Sequence, residues 1–333
     1  MNSPFPKSSS ADGKGRIVVR RLPTGISGLE TFEYQYPLKL VTPQHPPETS
    51  ALVYLLSYGG GLVGGDKVSL EIEVNAGARL SLATQGHTKI FKSASPDIVT
   101  RQTMRVKIAA GAAVCLLPDP VQPFRHSVYE QIQVFRLARS ASLCLLDWVT
   151  EGRTALGEHW SFVKWVSRNE VWTTGDDGQA AQDRLLVRDV AILDSKRAHP
   201  QLPTLRESMN GLTVFGTLIL RGPLMKSVGE FFLAEFAALP RLGARDWRSD
   251  DAKGQKDSRS DELSPREKWR AERLLREKEN KVLWSAASVR GCVVVKFGAA
   301  TFEAGRLWIG SMLAQEGSIA QHFGEQALMC LRW

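Results

Sequence analysis

Three segments of this chain repeat one plan. They read SLEIEVNAGARLSLATQ, MRVKIAAGAAVCLLPDP and RLARSASLCLLDW. In the first, a strand ends at Val74, a turn carries Gly77, and Ala78, Leu80 and Leu82 alternate with other residues. In the second, Ile108, Gly111, Ala112, Val114 and Leu116 keep that order 34 positions later. In the third, Ala141, Leu143 and Leu145 follow Ser140, another 29 positions on. Alternation with period two marks half-buried strands. A recurring strand–turn–strand unit implies neighbours that cover one another's apolar faces. The expected fold class is mainly β, a helically wound stack of β-coils resembling a β-solenoid. Ordinary hairpins in a β-sandwich would use similar turns. Either way the corners fall at equivalent places. The polar pairs that close the units, Thr84-Gln85, Pro118-Asp119 and Asp147-Trp148, are then expected near one another.

The stretch SYGGGLVGGD, residues 57–66, satisfies the G-x-G-x-x-G spacing of a dinucleotide loop. That motif works only where a helix opens at the loop and offers its free N–H groups to phosphate. Here the next residues are KVSLEIEV, which alternate strictly. They form a strand, so the glycines join strand to strand and permit close packing or unusual backbone angles.

Further strands are expected at Gly15–Arg21 and Thr31–Leu40, which look like an opening pair, and at Ser161–Thr173, Arg184–Leu193, Leu212–Leu220 and Gly291–Phe297. Helices are few. Met225–Leu239 carries an aromatic stripe at helical spacing and stops at Pro240, and a shorter helix is expected near Phe302–Leu313. About two core helices result. Residues 1–14 read as a disordered tail, leaving residues 15–333 as one β domain. Within it Arg245–Lys281 holds 22 charged residues among 37, 12 of them positive and 10 negative. Such a stretch buries no core by itself. Its first half reads as disordered. Its second half opens on Ser264-Pro265-Arg266-Glu267, a capping box with proline at the first helical position, and a solvated helix to about Leu283 is expected.

The chain has 333 residues and a net charge of +8. No apolar run reaches the roughly 18 residues of a membrane span, and the polar N-terminus is no secretory signal. Basic residues are scattered and no nucleic-acid motif is present, so an acidic protein partner fits the charge better than RNA or DNA. The four cysteines lie far apart, and buried reduced thiols in the cytoplasm are expected. Cys330, close to the last residue, is the one expected to be exposed. No G-x-S-x-G elbow, no H-E-x-x-H and no Cys/His zinc pattern occurs. The polar clusters that remain are Asp66 after the glycines, the run Thr84-Gln85-Gly86-His87-Thr88-Lys89, and Asp147 through Glu151 and Arg153 to Glu158. They could line a channel or a site, or simply hold turns together with an Arg153–Glu158 ion pair.

At these residues the chain resembles the UreD (UreH) family of urease accessory proteins. Five blocks carry the likeness in the family's order: YPLKL; GGGLVGGD; TQGHTKIFKS; LPDPVQPF with Tyr129 and Gln131 behind it; and DWVTEGR with GEHW behind it. The likeness covers roughly residues 16–243 and resumes from about Ser288 to Trp333. The length and the charged insertion resemble a fungal or other eukaryotic member. The resemblance implies a mainly β, helically wound fold with two helices. It implies no catalysis and no tightly bound cofactor, with nickel in transit. The implied partners are apo-urease and UreF, which recruits the GTPase UreG, and the implied route for nickel is a water-filled tunnel. Carried over by position, Asp66, Asp147 and Glu151 become the acidic residues of a transient nickel path, with His87 beside them. Gly64, Gly65, Thr84, Gln85, Thr88, Lys89, Arg153 and Glu158 become tunnel or structural motif residues. Sparse oxygen donors suit a metal that must be released again. The alternative is a β-solenoid carbohydrate hydrolase or lyase, using Asp66, Asp147 and Glu158 as paired carboxylates.

Overall fold

A computed structural model describes residues 13–44, 49–174, 183–195, 203–239 and 264–332. Each repeated segment sends one strand into each of two sheets. Strands β5 (Lys67–Val74), β8 (Thr100–Ile108) and β11 (Val128–Leu137) lie side by side and parallel in the first sheet. Their successors β6 (Arg79–Ala83), β9 (Ala113–Leu116) and β12 (Ser142–Thr150) do the same in the second. The linking turns are equivalent: the amides of Ala78, Ala112 and Ala141 donate to the carbonyls of Asn75, Ala109 and Ala138 at 3.0–3.1 Å. Gly77 and Gly111 both sit at φ 67°, a left-handed conformation that glycine adopts without a Cβ penalty.

The other strands extend these two stacks. The first sheet has the order β14-β13-β11-β8-β5-β1-β2, adding β1 (Gly13–Arg21), β2 (Ser27–Tyr34), β13 (Lys164–Thr173) and β14 (Arg184–Asp194). The second has the order β16-β17-β15-β12-β9-β6-β4-β3. It adds β3 (Leu38–Val41), β4 (Ala51–Ser57), β15 (Val214–Arg221), β16 (Leu283–Val289) and β17 (Cys292–Ala299), while the short β7 (Thr88–Ile90) and β10 (Val121–Pro123) join beside β12. Parallel strands in the middle and antiparallel strands at the margins make both sheets mixed.

Alternation decides where each side chain goes. Leu80, Leu82, Val114, Leu116, Leu143 and Leu145 face the first sheet and meet Ile17, Leu70, Ile72 and Phe135 in a shared core. The intervening Cys115, Cys144, Leu146 and Trp148 face the other way, onto helices. The molecule therefore has three layers, sheet, sheet and helices. β12 is buried along its whole length because it is covered on both faces.

The helical layer comprises α2 (Lys226–Ala237), α3 (Pro265–Glu279), α4 (Phe302–Glu316) and α5 (Ser318–Phe323), while α1 (Leu205–Ser208) is a single turn. α4 starts where the Thr301 hydroxyl accepts from the Ala304 amide at 3.1 Å and stops at left-handed Gly317. Phe232 of α2 and Trp308, Ile309 and Leu313 of α4 form the stripe that closes the second core.

The mainly β expectation holds, in the form of two mixed sheets and several helices. Four local expectations are corrected. The strand reaches back past residue 15, because Gly13 and Lys14 pair with Val68 and Ser69; the rest of the expected tail lies outside the described residues. Thr31–Leu40 is two strands in different sheets, since residues 35–37 carry the chain from one sheet to the other. The capping box at Ser264 and Glu267 forms as expected, but the helix ends at Glu279 and is not wholly solvated. Arg273 and Glu277 are buried, Arg273 against the Trp269 and Trp284 rings, and Leu283 opens a strand. Cys330 is buried, and its thiol donates to the Thr84 carbonyl at 3.3 Å. The first half of the charged insertion lies outside the described residues.

Candidate functional site

The glycine stretch does join strand to strand: β4 ends at Ser57, one short 3₁₀ turn follows, and β5 begins at Lys67. What the glycines permit is close approach. A Cβ on Gly61 would stand 2.8 Å from the Lys89 carbonyl oxygen and 2.5 Å from the Phe91 ring; one on Gly64 would stand 3.0 Å from Ser93 Cα. Without them Leu62 bonds directly to the next segment, its amide donating to Lys89 O at 2.8 Å and its carbonyl accepting from Phe91 N at 2.9 Å. Gly65 turns the chain at φ 93° and donates to Thr100 Oγ1 at 3.2 Å. Asp66 closes the loop: its Oδ2 accepts from the Val63 amide at 2.8 Å.

The corners of the repeated units meet. Thr84 Oγ1 donates to Asp119 Oδ2 at 2.9 Å and accepts from the Asp119 amide at 2.7 Å. Trp148 Nε1 donates to the Pro118 carbonyl at 2.8 Å. Between the sheets at this end lies a cavity of about 110 Å³, large enough for several waters. Gln85, His87 and Thr88 line its outer part with Asp119; Gln131, Gln133 and Asp147 line its inner part. Gln85 is exposed, so the cavity reaches the surface there. Lys89 is exposed and does not line the cavity. The His87 ring stands edge-on to Phe302 at 4.7 Å. Burial lowers its pKa, against the opposing pull of Asp119.

Asp147 is the most constrained of these groups. Alternation along β12 turns it, like Leu145, into the space between the sheets. Its Oδ1 accepts from Gln131 Nε2 at 3.0 Å, and its Oδ2 accepts from Ser167 Oγ at 2.5 Å and Asn169 Nδ2 at 2.7 Å. Tyr129 and Gln133 extend the network by bonding Gln131 and Asn169. Burial raises the Asp147 pKa. The bonds from Ser167 and Asn169 oppose that rise, and the charge of Asp189 adds to it.

The remaining expected residues stand elsewhere. Glu151 is buried, and its Oε2 lies 2.8 Å from His159 Nδ1. Arg153 and Glu158 form the ion pair expected from their spacing, Nε to Oε2 at 3.0 Å, with the guanidinium 3.9 Å from the Phe124 ring. That pairing pulls the Glu158 pKa down. Asp66, Glu151, Arg153 and Glu158 line no part of the cavity that Asp147 lines. Among the described residues no three His, Cys, Asp or Glu side chains converge as a metal-ligand set.

Sequence reasoning missed Gln133, Ser167, Asn169, Asp189 and Lys296 as members of this interior. The signal for Lys296 is a lysine inside the apolar run CVVVKF, between buried Val295 and Phe297. No comparable signal marks Gln133, because the outward-facing Ile132 and Val134 of the same strand are apolar as well.

One family and many relatives fit this chain. The UreD urease accessory protein model matches residues 11–332. An uncharacterized ureD-like urease accessory protein of Schizosaccharomyces pombe is 32% identical over 290 residues, 86% of this chain and 89% of its own. The urease accessory protein UreD of Sorangium cellulosum is 36% identical over 222 residues, 67% of this chain and 65% of its own. Urease accessory protein D of Arabidopsis thaliana is 30% identical over 217 residues, 64% of this chain and 69% of its own. The chain therefore belongs to the UreD family of urease accessory proteins.

Proposed function

We propose that this chain is a urease maturation factor that acts without catalysis, binds apo-urease and UreF, engages UreG through UreF, and lets nickel pass between its two sheets. Family membership supports the role in urease maturation. The observation that carries the finer reading is the cavity that runs from exposed Gln85 past His87 to Asp147. Nickel here is cargo. The polar groups along the path, set among apolar side chains such as Leu62, Leu70 and Met104, are chiefly hydroxyls, amides and carboxylates, whose oxygens hold a borderline metal less firmly than several imidazoles or thiolates would. His87, Asp119 and Asp147 are groups on the path able to take a metal in passing. Thr84, Gln85 and Thr88 form its walls. Asp66, Gly64, Gly65, Glu151 and the Arg153–Glu158 pair hold the surrounding loops in place. The wound, solenoid-like reading of the fold belongs to this proposal, because stacked coils leave such a passage between their sides.

The carbohydrate-cleaving alternative needs Asp66, Asp147 and Glu158 together. Asp66 caps a turn, Glu158 is held by Arg153, and Asp147 lies between the sheets. Asp66 and Glu158 line no part of the cavity that Asp147 lines, so nothing favours that reading.

The test is a urease activation assay with the Asp147→Ala variant. Nickel loading of urease should fall by about tenfold, the effect of about 1.4 kcal/mol on the passage barrier, while the variant still co-purifies with urease. Loading equal to the parent's would end the conduit reading. Unchanged urease activity in a host lacking the whole chain would end the maturation reading.

A further inference from the structure

The polar lining does not stop where the cavity does. Across the second sheet Asp147 stands opposite Thr217, and Thr217 opposite Lys296. Across the first sheet Asn169 stands opposite Asp189. Lys296 joins the two rows: its Nζ lies 2.6 Å from Asp189 Oδ1 and 3.3 Å from Thr217 Oγ1. The ammonium also sits 5.5 Å from the Phe215 ring. The cavity ends at Asp147, and Thr217 and Lys296 fill the row beyond it.

Two facts distinguish this arrangement from a surface ion pair. The Asp189 side chain is 12% exposed and that of Lys296 is 40% exposed, so the carboxylate is largely withdrawn from solvent while the lysine side chain is partly open to it. The charges are also unequal along the two rows: Asp147 and Asp189 are both carboxylates, and the Lys296 ammonium pairs with Asp189. A cation arriving at Asp147 would find the next carboxylate already occupied by a positive group of this chain. At short range in a poorly screened interior, that positive group repels an arriving cation strongly. The ammonium is held by one carboxylate and one hydroxyl and has a flexible stem.

We propose that the Lys296 ammonium is a tethered plug at the inner end of the cavity, occupying beside Asp189 the place that a divalent cation leaving Asp147 would take next. This rests on the conduit reading and adds the element that controls it. With the plug in place the row is closed and holds no metal. Displacement of the ammonium toward solvent opens the row and supplies Asp189 as the next oxygen donor. No bond forms or breaks: one cation exchanges for another.

Nickel titration of the purified full chain tests this without urease. Lys296→Met should bind one Ni²⁺ at least tenfold more tightly than the parent, because Asp189 is then unneutralised. Lys296→Arg, which keeps a cation in place, should bind as the parent does. Asp189→Asn in the Lys296→Met background should abolish the gain. Equal affinity in the parent and a folded Lys296→Met variant would overturn the plug. A second measurement uses the parent alone, so it stands even where Lys296→Met fails to fold. Acetic anhydride labelling of Lys296, read by mass spectrometry, should speed up when Ni²⁺ is added; an unchanged or slower rate would overturn the proposal. A failure here, with Asp147→Ala still impairing urease loading, removes the plug and leaves the conduit. Unimpaired loading in Asp147→Ala removes the conduit itself.

Discussion

At the residue scale the decisive feature is a carboxylate placed where no charge is cheap. Asp147 tolerates its position because three donors meet its two oxygens. An amide cannot copy this. One of its two ends is a donor, and it would face Asn169 Nδ2 or Gln131 Nε2. Asp147→Asn should therefore lower stability by about 1–3 kcal/mol, the cost of an unmatched buried polar group, read as a lower urea midpoint with an unchanged slope. A variant as stable as the parent would show that the network rearranges freely. Gly61 makes a second case. Its φ of 176° is ordinary, so nothing in its backbone angles demands glycine; the Lys89 carbonyl beside it does. Gly61→Ala should cost about 1–3 kcal/mol through overpacking. Gly59→Ala, at φ 71° with open space around it, should cost about 1 kcal/mol from backbone strain alone. Equal losses would mean that the contact with β7 relaxes. The sequence disclosed Asp147 because it closes a repeated unit. It could not disclose Asn169 or Asp189, whose meaning depends on strands that meet them from distant parts of the chain.

At the element scale α3 shows most clearly what composition hides. The charge-rich segment reads as a solvated helix, and its cap is written in four residues. Its attachment is not. Glu235 on α2 is fully buried and receives Arg266, Arg270 and Arg273, with Arg270 Nε donating at 2.8 Å and Arg266 Nη2 at 3.0 Å. Glu277 of α3 accepts from Trp308 Nε1 of α4 at 2.7 Å. Charges that look like solvated decoration in sequence thus form the joint between two helices. The hydrogen bond from Arg270 does most to pull the Glu235 pKa down, to about 2 from an ordinary 4.5, against the effect of burial. Glu235→Gln leaves three guanidinium groups facing a neutral amide, one of them in a buried side chain. The expected cost is about 3 kcal/mol. It should appear as faster amide exchange through α3 and α2, with the sheets unaffected. Uniform destabilisation of the whole molecule would argue against a separable joint. The strands, by contrast, were largely readable, because period-two alternation needs no knowledge of partners. The misread segment, Thr31–Leu40, failed because alternation continues across the point where the chain changes sheet.

At the scale of the whole molecule, the two cores answer acid in opposite ways. A group whose folded pKa is depressed stabilises the fold above its unfolded pKa, and that contribution disappears as pH falls through the folded value. For Glu235 the loss runs from about pH 4.5 down to about pH 2. Asp147 has the reverse sign. Its folded pKa is raised, so the fold bears a buried charge at neutral pH and is relieved of it as acid protonates the group. Glu235 secures the helical layer, whereas Asp147 lies between the two sheets. Acidification should therefore loosen the helices while the sandwich of parallel strands persists. Hydrogen exchange at decreasing pH, compared at matched intrinsic rates, checks this. Below about pH 4.5, protection should fall first in α2 and α3, and last in β5, β8, β11 and their partners β6, β9 and β12. Glu235→Gln should bring the helical loss to neutral pH and flatten its pH dependence. If the helices and both sheets opened together in the parent at every pH, the three layers would form one cooperative unit, and the passage between the sheets would depend on the helices as well. Under the conduit proposal the order matters, because a passage walled by strands that outlast the helical layer can hold its shape while the helices adjust to a partner.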